Sequence, residues 1–159
     1  ALARDETPML PVVLDAVRRL EAAGDRIDAV CLLQPTNPLR TAADIEGCIA
    51  RLDATGADCV VTVLPVPHAH NPHWVFVGDP AERLVLATGE GEPIPRRQAL
   101  PAAWHREGSV YVTRRRALDA GSLYGAHVVG QPMDPARSVN IDDLDDWARA
   151  EALLAVETV

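Results

Sequence analysis

Between residues 29 and 64 the chain writes a strand, an irregular loop, a helix and a second strand in succession. That order constrains its fold more than any other feature. Ala29-Val30-Cys31-Leu32-Leu33 is an unbroken apolar run with no polar alternate, the pattern of a strand covered on both faces. It stops at Gln34-Pro35-Thr36-Asn37-Pro38-Leu39-Arg40, where the prolines forbid both a helix and a sheet ladder, so the segment is a loop of fixed shape. Thr41 with Asp44 predicts a capped helix start; Ile45, Cys48, Ile49 and Leu52 form one apolar face, and Gly56 ends the helix. Cys59-Val60-Val61-Thr62-Val63-Leu64 is the second strand. A βαβ unit of this length implies a parallel sheet with a right-handed crossover.

The flanking segments extend this pattern. Thr7-Pro8 predicts the capped start of a first helix, with Leu10, Val13, Leu14, Val17 and Leu20 at helical spacing before Gly24. The stretch from Pro65 to Pro101 is unlike the rest: Pro67, Pro72, Pro80, Pro93 and Pro95 punctuate it, and short strands are expected only near 74–77 and 84–86. It reads as an excursion from the sheet. Strands follow at 109–113 and 127–129, a short helix at 115–120, and a last helix opens at Asp143 with Leu144, Trp147, Ala148 and Leu154 on its apolar side.

A chain of 159 residues can bury one sizeable core, and the expectation is a single domain over 1–159, with 65–101 as an excursion within it. Basic residues number 15 against 23 acidic ones, a net charge of −8, which argues against nucleic acid as a partner while leaving room for small anions. No apolar run approaches the ~20 residues of a membrane helix, and the opening residues read as helix rather than as a leader. The cysteines, at 31, 48 and 59, form neither a C-x-x-C pair nor a disulfide framework. Cys31 and Cys59 are expected to be small buried hydrophobes in a reducing, cytoplasmic compartment.

Ligands of open parallel sheets bind beyond the C-terminal strand ends. The loop from Gln34 lies at such an end, with Gln, Thr and Asn as neutral hydrogen-bonding groups and Arg40 as a cation. Taken alone it is equally a ligand loop and a tight turn before a helix. Arg96-Arg97-Gln98 offers guanidinium groups that could clamp a carboxylate or phosphate, although a solvated charge run has the same composition. Asn140-Ile141-Asp142-Asp143 alternates Asn140 and Asp142 onto one side, the arrangement of a strand-end Mg2+ site, with Asp143 placed to cap the last helix. His68, His70 and His73 lie among prolines and are expected in a surface loop rather than in a zinc site.

These segments together resemble the acylneuraminate cytidylyltransferases, the CMP-sialic acid synthetases. Leu32 to Arg40 resembles the family's L-L-Q-P-T-S-P-L-R; His70-Asn71-Pro72 resembles its H-N-P. Arg97-Gln98 with Leu100-Pro101 is similar to R-Q-x-L-P, and Gly108 with Tyr111 to N-G-x-x-Y. Ser138-Val139-Asn140-Ile141-Asp142, with Asp146 and Glu151, is similar to S-x-D-I-D…D…A-E. The resemblance implies an α/β, Rossmann-like three-layer nucleotidyltransferase fold with a mainly parallel sheet, dimerising through the Pro-rich excursion. It implies transfer of CMP from CTP to the anomeric hydroxyl of a nine-carbon acidic sugar, with Mg2+ assisting and pyrophosphate leaving. Asp142 and Arg97 are then the catalytic residues and Asp142 with Asn140 the metal site. Gln34, Thr36, Asn37, Arg97, Gln98, His105, Glu107 and Tyr111 are the substrate contacts.

Departures from the family pattern are specific. The family's glycine- and lysine-rich phosphate loop, L-x-A-R-G-G-S-K-x-x-P-x-K-N, has no counterpart here, so the chain is expected to begin some way into the fold. Asn140 stands for the first aspartate of the D-x-D pair, and His105-Arg106-Glu107 for R-x-N. The alternatives are a cytidylyltransferase for 3-deoxy-octulosonate or a phosphonate, or a nucleotide- or sugar-binding module without catalysis.

Overall fold

The computed structural model describes residue 4 and residues 6–157. They form two compact units, one built from the chain up to Val63 and from Arg106 onward, the other Leu64–His105.

The first unit is a four-stranded sheet with helices on both faces. Its elements in chain order are α1 (Met9–Ala22), β1 (Ala29–Leu33), α2 (Ala42–Thr55), β2 (Cys59–Pro65), later β5 (Trp104–Arg114), α3 (Arg115–Asp119), β6 (Val128–Pro132) and α4 (Leu144–Glu157). Strand alternation divides the core. Val60, Val110 and Val112 turn to one face, where Cys48 and Leu52 of α2 cover them. Val61, Val63 and Tyr111 turn to the other, meeting Leu32 of β1. Leu32 and Val30 in turn pack with Val13 and Val17 of α1 and with Leu118. The predicted cap of α2 is present: the Asp44 N–H donates to the Thr41 hydroxyl, and the Asp44 carboxylate accepts from the Thr41 N–H. Thr7 does not cap α1, whose N-cap position falls on Pro8 with no side-chain bond.

The sheet order is β1-β5-β2-β6. β2 and β6 are parallel. β5 runs antiparallel to β1, with Ala29 opposite Arg114 and Leu33 opposite Val110. It also runs antiparallel to β2: the Arg114 N–H meets the Asp58 carbonyl, while four residues further along β2 the Val110 N–H donates to the Thr62 hydroxyl. The sheet is therefore mixed, and the strands of the βαβ unit are separated by β5 instead of being neighbours. The insertion of β5 is the unexpected feature: β1, β2 and β6 all run one way, and β5 alone runs against them. It has two consequences. β1 lies at an edge, so Cys31 is exposed, contrary to expectation, while Cys48 and Cys59 are buried. And the beginning of β5 comes to the same end of the sheet as the C-terminal ends of β1, β2 and β6, the end where ligands collect. β5 also starts five residues before the predicted 109, taking in Trp104 to Gly108.

The second unit contains the proline-rich stretch. Its regular part is a hairpin of β3 (Phe76–Asp79) and β4 (Arg83–Leu86), paired antiparallel. Phe76, Val77, Leu84 and Val85 are exposed, whereas Leu86 is buried. Side chains tie the proline-rich loops down: the Asn71 amide donates to the Pro101 carbonyl at 2.9 Å, and the Trp74 indole N–H to the Ile94 carbonyl at 2.6 Å. No described helix is long and apolar enough to cross a membrane.

Candidate functional site

The loop after β1 is shaped by its own polar groups. The Asn37 N–H closes a turn on the Gln34 carbonyl. Arg40 donates from Nη1 to the carbonyls of Gln34 (2.6 Å) and Asn37 (2.7 Å), so this cation braces the loop rather than waiting for a ligand. Asn37 is 2% exposed. Its Nδ2 donates to the Glu107 carbonyl at 3.3 Å and to the Val139 carbonyl at 3.4 Å. Thr36 joins through its backbone, its carbonyl accepting the Ile141 N–H at 2.8 Å. Loop 34–40, the start of β5 and segment 138–142 are thus stitched together at one end of the sheet.

Gly108 permits this. Its φ of +105° lies in the left-handed region, and a Cβ there would stand 3.2 Å from Asn37 Oδ1. The irregularity also interrupts the alternation of β5, so that Arg106 reaches Tyr111 five residues along, Nη1 to hydroxyl at 3.4 Å.

Beside the stitched segments is a cavity of about 90 Å3 with Gln34, Arg106, Tyr111 and Tyr124 among its lining and Val13 and Leu118 on its apolar wall. Tyr111 and Tyr124 meet edge to face, ring centroids 6.2 Å apart. Tyr111 is 6% exposed; burial pushes its hydroxyl pKa up, and the Arg106 guanidinium works against that shift. The cavity therefore offers an amide, a guanidinium and a phenol around an apolar wall, which suits a ligand carrying both hydrocarbon and acceptor oxygens.

Asn140 and Asp142 do lie on one side: Asn140 Nδ2 donates to Asp142 Oδ2 at 2.5 Å. The Asp142 N–H is held by Asp146 Oδ2, and Asp143 caps α4 through the N–H groups of Asp145 and Asp146. Among the described residues no group of three or more His, Cys, Asp and Glu could hold a metal ion. The donor set is one carboxylate with a neighbouring amide. That is too little for a metal cage of its own.

Of the residues expected at the site, the first unit brings Gln34 and Tyr111 into one cavity. It joins Asn37 to Glu107 and links Thr36 to the segment bearing Asn140 and Asp142. Glu107 is buried at 7% exposure, turned into the protein. Arg97, Gln98 and His105 belong to the second unit, where Arg97 and Gln98 open an exposed 3-10 turn. His73, of the histidine cluster, pairs with Glu90 at 2.8 Å. Arg106 and Tyr124 were missed. The signal for Tyr124 was available, since the chain has only two tyrosines and so few aromatics with a hydrogen-bonding tip.

No family model matches the chain. It is 27% identical over 141 residues to N-acylneuraminate cytidylyltransferase A of Danio rerio, covering 87% of this chain and 32% of that protein. It is 24% identical over 139 residues to N-acylneuraminate cytidylyltransferase B of Danio rerio, with coverages of 87% and 32%. The chain spans about a third of the length of these curated relatives. Over most of its own length, then, it is distantly similar to nucleotidyltransferases of the cytidylyltransferase kind.

Proposed function

We propose that this chain is part of a cytidylyltransferase that transfers CMP from CTP to the anomeric hydroxyl of a nonulosonic acid. The observation that carries the reading is the meeting of Gln34 and Tyr111, from motifs far apart in sequence, in one cavity that runs along β1 and β5 up to the loop after β1. The likeness to two N-acylneuraminate cytidylyltransferases points the same way. In the proposed reaction the sugar hydroxyl attacks the α-phosphorus of CTP and gives up its proton to solvent, the bond from the α-phosphorus to the bridging oxygen breaks, and pyrophosphate leaves with that electron pair. Such catalysis is positioning plus neutralisation of charge on phosphate oxygens.

Gln34 and Tyr111 orient the sugar; Arg97 and Gln98, carried by their motif alone, contact its charged or polar groups. Asp142, with Asn140 beside it, would hold Mg2+, which when bound neutralises phosphate charge and aligns the leaving group. Triphosphate contacts are proposed to come largely from outside these 159 residues, because such a ligand is held by backbone N–H groups and lysines of a glycine-rich loop. The exposed apolar residues of β3 and β4 are proposed to pack against a second copy of the chain.

Pyrophosphate release by the full-length protein, measured with CTP and a panel of nonulosonic acids against 3-deoxy-octulosonate, tests the reading. Turnover is expected with a nonulosonic acid; release with none of them refutes it. The isolated chain is expected to bind CTP negligibly by calorimetry, and light scattering is expected to give a dimer.

A further inference from the structure

We propose that Glu107 is a positioning residue, a buried carboxylate that latches loop 34–40 and segment 138–142 onto β5. Its Oε2 accepts the Ser109 N–H at 2.9 Å. Its Oε1 accepts the Ser109 hydroxyl at 2.7 Å, the Ser138 hydroxyl at 2.9 Å and, more weakly, Asn37 Nδ2 at 3.5 Å. Every one of these donors is neutral. A buried charge is expensive unless it is fully hydrogen-bonded, and an ionised acceptor makes bonds about twice as strong as a neutral one. The side chain is thus held by groups from β5 itself, from the loop after β1 and from the segment after β6.

The chemistry of the latch calls for an acid. A carboxylate presents only acceptors, matching the Ser109 N–H and the hydroxyl hydrogens turned toward it. A glutamine that kept its carbonyl on the Ser109 N–H would aim its NH2 at the NH2 of Asn37, and an asparagine would fall short of Ser138. The latched segments carry groups of the proposed reaction: Gln34 closes the turn with Asn37, and Asn140 and Asp142 flank Ile141, whose N–H rests on Thr36. Glu107 therefore does not set the charge seen by the sugar; it sets where Gln34 and Asp142 stand. This catalytic consequence rests on the function proposed above, whereas the latch itself does not.

Hydrogen exchange on the full-length protein reads the latch without activity. In Glu107→Gln the Ser109 and Ile141 amides are expected to exchange at least about tenfold faster, with α2 and β2 little changed, since a lost charged hydrogen bond is a local loosening of this order. In turnover the same variant is expected to raise the KM of the sugar acid about tenfold and leave that of CTP within about twofold. Glu107→Asp, which keeps the charge on a shorter arm, is expected to lie between. Should Glu107→Gln fail to fold, Ser138→Ala removes one donor and is expected to give the same pattern at about threefold. Unchanged exchange at Ser109 and Ile141, faster exchange spread evenly over the sheet, or equal rises in both KM values would each overturn the proposal. If the parent protein releases no pyrophosphate, the proposed reaction falls and the exchange data alone decide the latch.

Discussion

Replacing Gly108 by alanine tests the local geometry on which the candidate site stands. At φ +105° an L residue is strained, and backbone strain of this kind costs about 1–3 kcal/mol. The new methyl would also lie 3.2 Å from Asn37 Oδ1, and Asn37 has little freedom to retreat because its amide is bonded to the Glu107 and Val139 carbonyls. Displacing it by a few tenths of an ångström stretches bonds that are already 3.3 and 3.4 Å, adding about 1 kcal/mol. The sum is roughly 2–4 kcal/mol, or a fall in Tm of roughly 4–16 °C at this chain length. Gly91→Ala is the control: its φ is ordinary and nothing lies within 4 Å of the added Cβ, so stability should hold or rise slightly. Thermal melting followed by circular dichroism, with urea titration for the free energy, measures both. A Gly108→Ala loss below about 0.5 kcal/mol, or one matched by Gly91→Ala, would refute the reasoning.

Other expectations follow from particular contacts. Arg137 donates to both oxygens of Asp44, and although burial pushes the Asp44 pKa up, these bonds and those from Thr41 hold it below its ordinary value. Its stabilisation is therefore present at neutral pH and lost as pH falls through the acid range below about 4; Arg137→Met should cost about 1.5–3 kcal/mol at pH 7 and less in acid, where the bond from Arg137 Nη1 to the Leu39 carbonyl remains, by melting at each pH. Burial pushes the Cys48 thiol up to about 12 and raises Cys59 and, against the pull of Arg40, Cys31 as well, but of the three only Cys31 stands exposed, on the edge strand. A thiol titration of the native protein at pH 8 should show one fast group, abolished in Cys31→Ser, and unfolding should release the rest. For the reaction proposed above, Asp142→Asn should reduce turnover of the full-length protein far more than Asn140→Ala, because at the proposed site a carboxylate would offer Mg2+ a full charge and the amide only a dipole. Equal losses would contradict that ranking.

What was legible in the sequence was local. The capping box of α2, its apolar face and the strand runs at 29–33 and 59–64 depend on residues within a turn or a few positions of one another, and the structure has them within a residue or two. The edge position of β1 was not legible, because its apolar run is that of an interior strand and nothing in it records which neighbour it takes. β5 came between β1 and β2 through pairings some 50 to 85 positions apart, so a βαβ pattern that is correct in order misleads about adjacency.

The same separation decides how far a site can be read. Gln34 and Tyr111 each sit in a recognisable motif, and the sheet brings them into one cavity. Glu107 and Arg40 read differently in the sequence and in the fold for one shared reason. A charged side chain in a sequence looks available, and only the fold reveals the groups that occupy it. Asn37 lies 70 residues from Glu107 and Ser138 lies 31 away, so the acceptors of that carboxylate were committed by contacts invisible to any local window. Arg40 meets carbonyls within its own loop, six and three residues back, yet those bonds exist only because the prolines bend the chain onto itself. Polar residues at a loop are thus weak evidence for ligand contact until their internal partners have been counted. By that measure Gln34 and Tyr111 remain turned toward the cavity, while Asn37, Arg40 and Glu107 hold the wall in which it is set.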